Sequence, residues 1–431
     1  MKLKKLIKEK EFMIKSSIAI VLFAILILSF FFSSKIENAL GLSVNHFPNQ
    51  VSSEDFISPY FVEYMDVGQG NSTFVILPDG KTILIDGGNV PYGKTVCDKI
   101  RSKGVDTIDY LIATHADADH IGGLLNVLDE FEVKNIFRPF QIAGSGTTAE
   151  TFVPIEQEDL AEFYYFMIQE TNNKSKISRV SSGVYNSFIE KIYSETYTAQ
   201  GEIMKSAVCV FYDGLIISGD DYSLDFFAPE KRTEMYNLKL YSNTYGFATV
   251  GYGANDSNGN SAILLLEVLG DKYLFTGDAP CSSGSSSASK HYEELDFIEN
   301  LTEDEKLLLS NVSVYLVGHH GSKYSSSEKL LSLIKPKFSV ISVGKDNSYG
   351  HPSVEALSRL ESVRTDDDYL LLTSSYGTIT FGNVSGKVAY TLENFNEKEK
   401  LVISWILFGS VCYCFAVYLI FSIKPRRKNQ I

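Results

Sequence analysis

Residues 114–123 read Thr-His-Ala-Asp-Ala-Asp-His-Ile-Gly-Gly, which places two imidazoles and two carboxylates within six residues. The four side chains are those of His115, Asp117, Asp119 and His120. Imidazole and carboxylate groups are the ligands that zinc and manganese bind in proteins. A polar turn that caps a helix explains one aspartate, but it does not explain four such groups together. The stretch therefore predicts a metal-binding loop.

The flanking sequence indicates where this loop sits in the fold. Residues 107–114 have the apolar pattern of a buried strand, and residues 124–130 have that of a helix. We expect the glycines at 122 and 123 to let the backbone turn sharply between them. Residues 60–86 read as an antiparallel meander, and the strands and helices that follow alternate, which predicts an α/β domain with helices packed on sheet.

Two helical features are predicted farther along the chain. Residues 140–207 contain two helical patterns rich in Phe and Tyr, over 159–170 and 184–195, and predict an inserted helical cap beside the site. Extra packing without function explains these aromatic helix faces equally well. Residues 296–309 read as a single further helix.

Both ends of the chain carry an apolar, uncharged segment, at 16–34 and at 401–423. Each is long enough to span a bilayer as a helix. A cleaved signal peptide is the alternative for the first segment, but Phe30, Phe31 and Phe32 stand where small residues should precede a cleavage site. We therefore expect an uncleaved membrane anchor there and a second transmembrane helix at 401–423.

Basic residues flank the two apolar segments on their outer sides, at 1–15 and at 424–431. Because lysine and arginine gather on the cytoplasmic face, this predicts a two-pass protein of the cell membrane with both termini in the cytoplasm. The domain over 60–393 then lies outside the cell, and residues 35–59 form its linker.

The charge balance limits the partners of that outer domain. The chain has a formal net charge of −14, and the two tails contribute +4 each, which leaves −22 for residues 16–423. So acidic a region repels polyanions in general, which disfavours nucleic acid as a partner without excluding a local basic groove. Three of the five cysteines fall in the predicted outer domain without a spacing pattern, so no disulfide framework is implied: Cys97, Cys209 and Cys281.

Further candidate ligands follow later predicted strands. Asp278 ends a strand in Thr-Gly-Asp, the pair His319 and His320 ends another, and His351 stands in Tyr-Gly-His-Pro. Five of the chain's seven histidines thus fall in such contexts. A carboxylate can bridge two metal ions at a separation of roughly 3.5–4 Å, which makes Asp278 the candidate bridging ligand.

Seven motifs in this order resemble the metallo-β-lactamase superfamily and, within it, the hydrolase domain of ComEC-type competence proteins. The motifs span residues 60–381 and read Asp-Val-Gly-Gln-Gly, Asp-Gly-Gly, Thr-His-x-Asp-x-Asp-His-x-Gly-Gly, Asn-Ser, Thr-Gly-Asp, Gly-His-His-Gly-Ser and Tyr-Gly-His-Pro. The resemblance implies a four-layered αβ/βα sandwich with metal ions at one edge of its two sheets. It is flanked here by the two predicted transmembrane helices.

The resemblance also implies ligands for two bridged ions. One ion takes Asp119, His120 and either His319 or His320, and the other takes His115 and Asp117. Asp278 lies between the two ions as the bridging ligand. Two departures from the family concern these ligands. Asp117 stands where the common motif has a histidine, and no histidine lies between His120 and Asp278. The second position is therefore short of one ligand, which favours weaker binding there, with zinc or manganese as one or two ions.

These features together predict a metal-dependent hydrolase of phosphoester bonds, most of all phosphodiesters, acting through a metal-bound hydroxide. Asp119 and His351 are the catalytic candidates, with His351 either contacting the phosphate or protonating the leaving group. Asn260 and Ser261 are expected to position the bridging region. The alternative is a metal-binding ectodomain without catalysis, acting as a sensor or assembly partner. Protein partners do not follow from the sequence.

Overall fold

A computed structural model describes six ranges of the chain: 49–139, 182–211, 213–228, 257–281, 293–365 and 368–394. Residues Asn49–Asn394 cluster as one unit. Both predicted membrane segments, the two tails and the predicted helix over 159–170 lie outside the described residues. Within those six ranges, no helix has the length and apolar character needed to cross a membrane.

Strands are short and numerous in the described part of the chain. They are β1 Phe61–Tyr64, β2 Thr73–Ile76, β3 Thr82–Ile85, β4 Thr107–Ile112, β5 Glu132–Arg138, β6 Thr196–Ala199, β7 Glu202–Lys205, β8 Ala207–Val210, β9 Ile216–Ser218, β10 Tyr222–Ala228, β11 Ile263–Val268, β12 Asp271–Phe275, β13 Val314–Leu316, β14 Phe338–Ile341, β15 Tyr369–Leu372, β16 Ile379–Val384 and β17 Lys387–Leu392. The helices are α1 Gly93–Ser102, α2 Ala118–Ile121, α3 Leu124–Glu130, α4 Gly183–Ser194, α5 Glu293–Asn300, α6 Glu303–Leu308, α7 Glu328–Ile334, α8 Val354–Val363 and α9 Thr373–Tyr376.

Most of these strands form two large sheets. The first has eight strands in the order β17-β16-β1-β2-β3-β4-β5-β8, and the second has seven in the order β15-β14-β13-β12-β11-β10-β9. The predicted meander is confirmed, since β1, β2 and β3 pair antiparallel. From β3 through β5 to β8 the first sheet is parallel, and β12 through β15 are parallel in the second.

Aromatic side chains fill the space between the two sheets. Tyr64 of β1 packs against Phe275 of β12 at 6.1 Å between ring centroids, and Phe338 of β14 packs against Phe381 of β16 at 5.4 Å. Because side chains alternate along a strand, the opposite face of each sheet is also apolar and needs a cover.

Helices supply that cover on the outer face of each sheet. Leu84 and Ile108 of the first sheet join a core with α1, α3 and α4, while Ile263 and Leu274 of the second join one with α5, α7 and α8. The layers therefore run helix, sheet, sheet, helix, and the predicted mixed α/β sandwich is confirmed.

Two predicted elements are wrong in detail. The single helix expected over 296–309 is two helices, because Thr302 begins α6 with a capping box in which Glu305 bonds back to it. The helical region expected up to residue 207 ends at α4, and β6 and β7 form a two-stranded hairpin after it. Gln200 and Gly201 both have positive φ in its turn, as a tight hairpin turn requires.

The topology brings five strand ends to one place. The carboxyl ends of the parallel strands β3 and β4 lie together in the first sheet, as do those of β12, β13 and β14 in the second. The amide of Ala262 donates to the carbonyl of Thr114, and the Ser342 hydroxyl donates to the carbonyl of Gly70, so the two sheets meet at this edge. The motifs identified in the sequence therefore converge there.

Candidate metal centre

The loop after β4 carries the first four candidate ligands, and its backbone is fixed at both ends. Asp117 precedes the short helix α2, and its carbonyl accepts from the amides of His120 and Ile121. The glycine pair at 122 and 123 joins the two helices with right-handed φ values, −60° and −73°. These glycines are needed for space, because a Cβ on Gly123 would lie 1.9 Å from the carbonyl oxygen of Gly87.

His120 is held by a carboxylate that lies behind it. Its Nδ1 donates to Asp86 Oδ2 at 2.7 Å, and the amide and hydroxyl of Thr114 also donate to the Asp86 carboxylate, at 2.8 and 2.7 Å. Both side chains are buried. This leaves Nε2 as the one nitrogen of His120 that can bind an ion.

His320 is oriented in the same manner by a backbone carbonyl. Its Nδ1 donates to the carbonyl oxygen of Ser342 at 2.9 Å, which directs Nε2 to within 3.3 Å of Asp119 Oδ2. His320 is buried, whereas the side chain of the adjacent His319 is 24% exposed. Both histidines have positive φ, 50° and 53°, a backbone conformation that costs of order 1–3 kcal/mol per residue and that clusters at functional sites.

Asp278 lies at the centre of the histidines. Its Oδ1 is 3.2 Å from His120 Nε2, and its Oδ2 is 3.5 Å from His319 Nε2, 3.8 Å from His320 Nε2 and 4.0 Å from His115 Nε2. One buried carboxylate thus faces four imidazoles from two other loops. This is the geometry expected of a shared ligand.

Ser261 fixes the backbone beneath Asp278. The amide of Asp278 donates to the Ser261 hydroxyl at 3.0 Å, and Ser261 lies two residues before β11. Gly277 has φ of +50°, and a Cβ there would lie 3.0 Å from Cβ of Ser261 and 3.3 Å from that of Thr114. The Asp278 loop is therefore packed directly between the two sheets.

Asp117 occupies a more open position than the other carboxylates. Its side chain is 42% exposed, and its Oδ2 lies 3.7 Å from His115 Nε2. Its Oδ1 accepts a hydrogen bond from the Ser257 hydroxyl. Ser257 therefore holds one oxygen of the Asp117 carboxylate, and the other oxygen faces His115.

His351 stands at the rim of this cluster. Its ring centroid is 5.6 Å from that of His319 and 6.4 Å from that of His320. Burial, together with the two neighbouring imidazoles, lowers the pKa of His351 to about 4. The side chain is therefore neutral at physiological pH and is a poor general acid there.

The electrostatics of the cluster favour bound positive charge. Burial alone would raise the pKa of Asp278, but the imidazoles of His319, His120 and His320 hold it well below its usual value. Burial would also raise the pKa of the Asp119 carboxyl, but the contact with His320 lowers that pKa to about 2. Both carboxylates are ionised at neutral pH, as metal ligands must be.

The donor set fits a divalent metal ion. His115 Nε2, His120 Nε2, His320 Nε2 and Asp278 Oδ1 are all buried, and none makes a hydrogen bond within the described residues. Buried polar atoms without partners are rare and need an explanation. Two groups bring their ligand atoms within 4.8 Å of one another: His115, His120 and Asp278, and Asp119, His120 and His320.

Substituting Asp86 tests whether its hydrogen bond to His120 positions that ligand for metal binding. We expect Asp86→Asn to weaken metal binding about 10- to 100-fold, because His120 loses a charge-assisted hydrogen bond that fixes its tautomer. Metal affinity measured by calorimetry on the full-length chain checks this. Asp98→Asn on α1, an exposed carboxylate paired with Lys94, is the matched control and should change nothing. Equal affinity for Asp86→Asn and the wild type would contradict a positioning role.

The structure brings all the metal ligands predicted from the sequence to one edge, with His351 beside them. Sequence reasoning missed three supporting residues, namely Asp86, Gln69 and Ser257. Asp86 was visible as Asp-Gly-Gly after a buried strand, but that pattern also suits an ordinary turn. Gln69 was visible only as part of Asp-Val-Gly-Gln-Gly, which gave it no role, and Ser257 lies in no quoted motif. Their contacts join segments far apart in the chain.

Comparison with known proteins agrees with this arrangement. Residues 65–140 match the family model described as the metallo-beta-lactamase superfamily. The chain is similar to ComE operon protein 3 of Bacillus subtilis (strain 168), with 24% identity over 339 residues that cover 74% of this chain and 32% of that protein. It is also similar to Competence protein ComA of Neisseria gonorrhoeae, with 32% identity over 133 residues, 31% of this chain and 17% of that one.

The chain thus spans at most about a third of the length of these curated relatives. Among solved structures, the metallo-beta-lactamase fold protein YhfI from Bacillus subtilis covers 74% of this chain and 98% of its own, at 8% identity and a TM-score of 0.36.

Proposed function

We propose that this chain, which matches the metallo-beta-lactamase superfamily model over residues 65–140 and is similar to ComEC-type competence proteins, is a metal-dependent hydrolase of phosphoester bonds. The observation that carries the proposal is the set of buried imidazole nitrogens that face the Asp278 carboxylate without hydrogen bonds. Polar atoms held so far from water, with no partner among the described residues, are arranged to bind a cation rather than to stabilise the fold.

We assign the principal ion position to Asp119, His120, His320 and Asp278. His120 has only Nε2 to offer, because its Nδ1 is bound to Asp86, so it can serve one ion at a time. The proposed second position keeps His115 and Asp117 with the shared Asp278. Its proposed ligands are fewer, and Asp117 is partly exposed, so we expect weaker binding there.

A divalent ion in this position would supply Lewis acidity, lowering the pKa of water and stabilising the charge that develops on phosphate oxygens. The residues of the chain supply the rest. The buried ligands hold fixed orientations through Asp86 and the carbonyl of Ser342, so little reorganisation is needed during the reaction. His351 lies beside the cluster, where it can contact the substrate.

A phosphodiester is the proposed substrate class. Relatives named for competence and for recombination are consistent with it. The net charge of −22 over residues 16–423, derived from the chain total of −14, disfavours long polyanions unless the cleft is locally basic. Tethering to the cell membrane with the domain outside remains our proposal, since it depends on the apolar segments 16–34 and 401–423.

The test uses the purified full-length chain, stripped of metal by a chelator and then supplied with zinc or manganese. Bis-p-nitrophenyl phosphate serves as a generic diester. We expect turnover that requires added metal and that falls at least about 10³-fold in Asp119→Ala, since a ligand to the proposed ion is lost. Asp304→Ala, an exposed aspartate on α6, is the matched control. Stoichiometric metal binding without turnover of any phosphoester would contradict the proposal and favour a sensor.

A further inference from the structure

The loop that carries His351 is closed by a single side chain. Asn347 Oδ1 accepts from the amide of His351 at 3.0 Å, and its Nδ2 donates to the carbonyl oxygens of His351 at 2.6 Å and of Gly344 at 3.0 Å. Two of these bonds hold the backbone of His351, and the third ties the loop back to Gly344. The ring of Tyr349 lies nearly parallel to the His351 ring, 28° from it with centroids 5.9 Å apart, and restricts its plane.

The same loop lies against the strand-end motif that contains Gln69. Gly344 approaches so closely that a Cβ there would lie 2.7 Å from the backbone nitrogen of Gln69. The amide of Gly344 donates to Gln69 Oε1 at 3.3 Å. This bond fixes the orientation of the Gln69 side-chain amide, because only its oxygen can accept a hydrogen bond.

The nitrogen of the Gln69 amide then faces the histidine. Gln69 Nε2 lies 3.5 Å from His351 Nδ1. Since Nε2 of an amide can only donate, Nδ1 of His351 must be the acceptor, and the ring proton must sit on Nε2. A contact of this length is at the limit of a hydrogen bond, as catalytic contacts often are before substrate binds.

We propose that Gln69 is a positioning residue that holds His351 in its neutral Nε2–H tautomer, so that His351 donates a hydrogen bond to a phosphate oxygen of the substrate. The hydrogen bond to a substrate phosphate rests on the proposed function, whereas the tautomer held by Gln69 does not. Of the two roles predicted for His351, contact with the phosphate is the one retained. A neutral donor suits an anionic oxygen without adding a second charge to the site.

The direct test is the tautomer of His351 in the full-length chain labelled with ¹⁵N-histidine. Long-range ¹H–¹⁵N correlations distinguish the two tautomers, and the spectrum of His351→Ala assigns the signal. We expect Nε2–H in the wild type. Gln69→Glu keeps an acceptor for the Gly344 amide but presents a carboxylate to Nδ1, so it should shift the proton to Nδ1. A wild-type ring protonated on Nδ1, or a Gln69→Glu ring unchanged from the wild type, would overturn the assignment.

The kinetics of metal-dependent diester hydrolysis distinguish a positioning role of Gln69 from a purely structural role. Removing a hydrogen-bond donor to a developing oxyanion costs about 10²-fold in kcat, so we expect that loss in His351→Ala. Gln69→Glu should lose about 10-fold in kcat with its metal content unchanged, and the double variant should be no slower than His351→Ala. Additive losses in the double variant would overturn the coupling of the two residues. If the tautomers are as expected but no phosphoester is cleaved, the proposed function fails and the positioning by Gln69 stands.

Discussion

Asp278→Asn is expected to abolish metal-dependent hydrolysis, with a fall in turnover of about 10³-fold or more. The substitution keeps the shape of the side chain and removes its charge. Asp278 is buried and faces four imidazoles at 3.2 to 4.0 Å, so no other carboxylate replaces that charge at the centre of the cluster. Metal content after dialysis and diester turnover, both on the full-length chain, measure the effect.

The control for this variant is Asp304→Asn, which makes the same chemical change on the surface of α6. It should bind metal and turn over substrate as the wild type does. Wild-type metal content in Asp278→Asn would show that the ion is held elsewhere.

His320→Ala is expected to lose far more metal affinity than His319→Ala, although the two residues are adjacent. His320 is buried, is oriented by the Ser342 carbonyl and lies 3.3 Å from Asp119. His319 is partly exposed and lies 3.5 Å from Asp278. Loss of His320 should lower metal affinity at least about 100-fold, because it removes a ligand whose orientation the Ser342 carbonyl fixes. Loss of His319 should lower it about 10-fold or less.

The two alanine variants control for each other, since both remove an imidazole from the same strained turn. Calorimetric titration of each with manganese and zinc gives the comparison directly. A larger loss in His319→Ala than in His320→Ala would reverse the assignment of the ligand. Equal losses would indicate that both imidazoles bind the ion.

The fold class and the clustering of the candidate ligands were predictable because their signals are local. A buried strand followed by a dense set of imidazoles and carboxylates over 115–120 needs no knowledge of distant segments. Parallel strands then bring their carboxyl ends to one edge, so Asp278, His320 and His351 could be expected near that loop. The choice between His319 and His320 could not be made, because it depends on the left-handed turn that directs their side chains.

The supporting contacts were not predictable, since each joins segments far apart in sequence. Gln69 and His351 are 282 positions apart, and Asp117 and Ser257 are 140 apart. The break between α5 and α6 was missed for a different reason. Apolar periodicity continues through residues 296–309, and the capping box at Thr302 overrides it.

The most direct test of the proposed centre is anomalous diffraction at the manganese edge, from crystals of the full-length chain grown with manganese. We expect a strong peak bounded by Asp119, His120, His320 and Asp278, and a weaker one, if any, beside His115. A chain saturated with manganese that shows no peak among these residues would contradict the metal centre, and with it the proposed hydrolase.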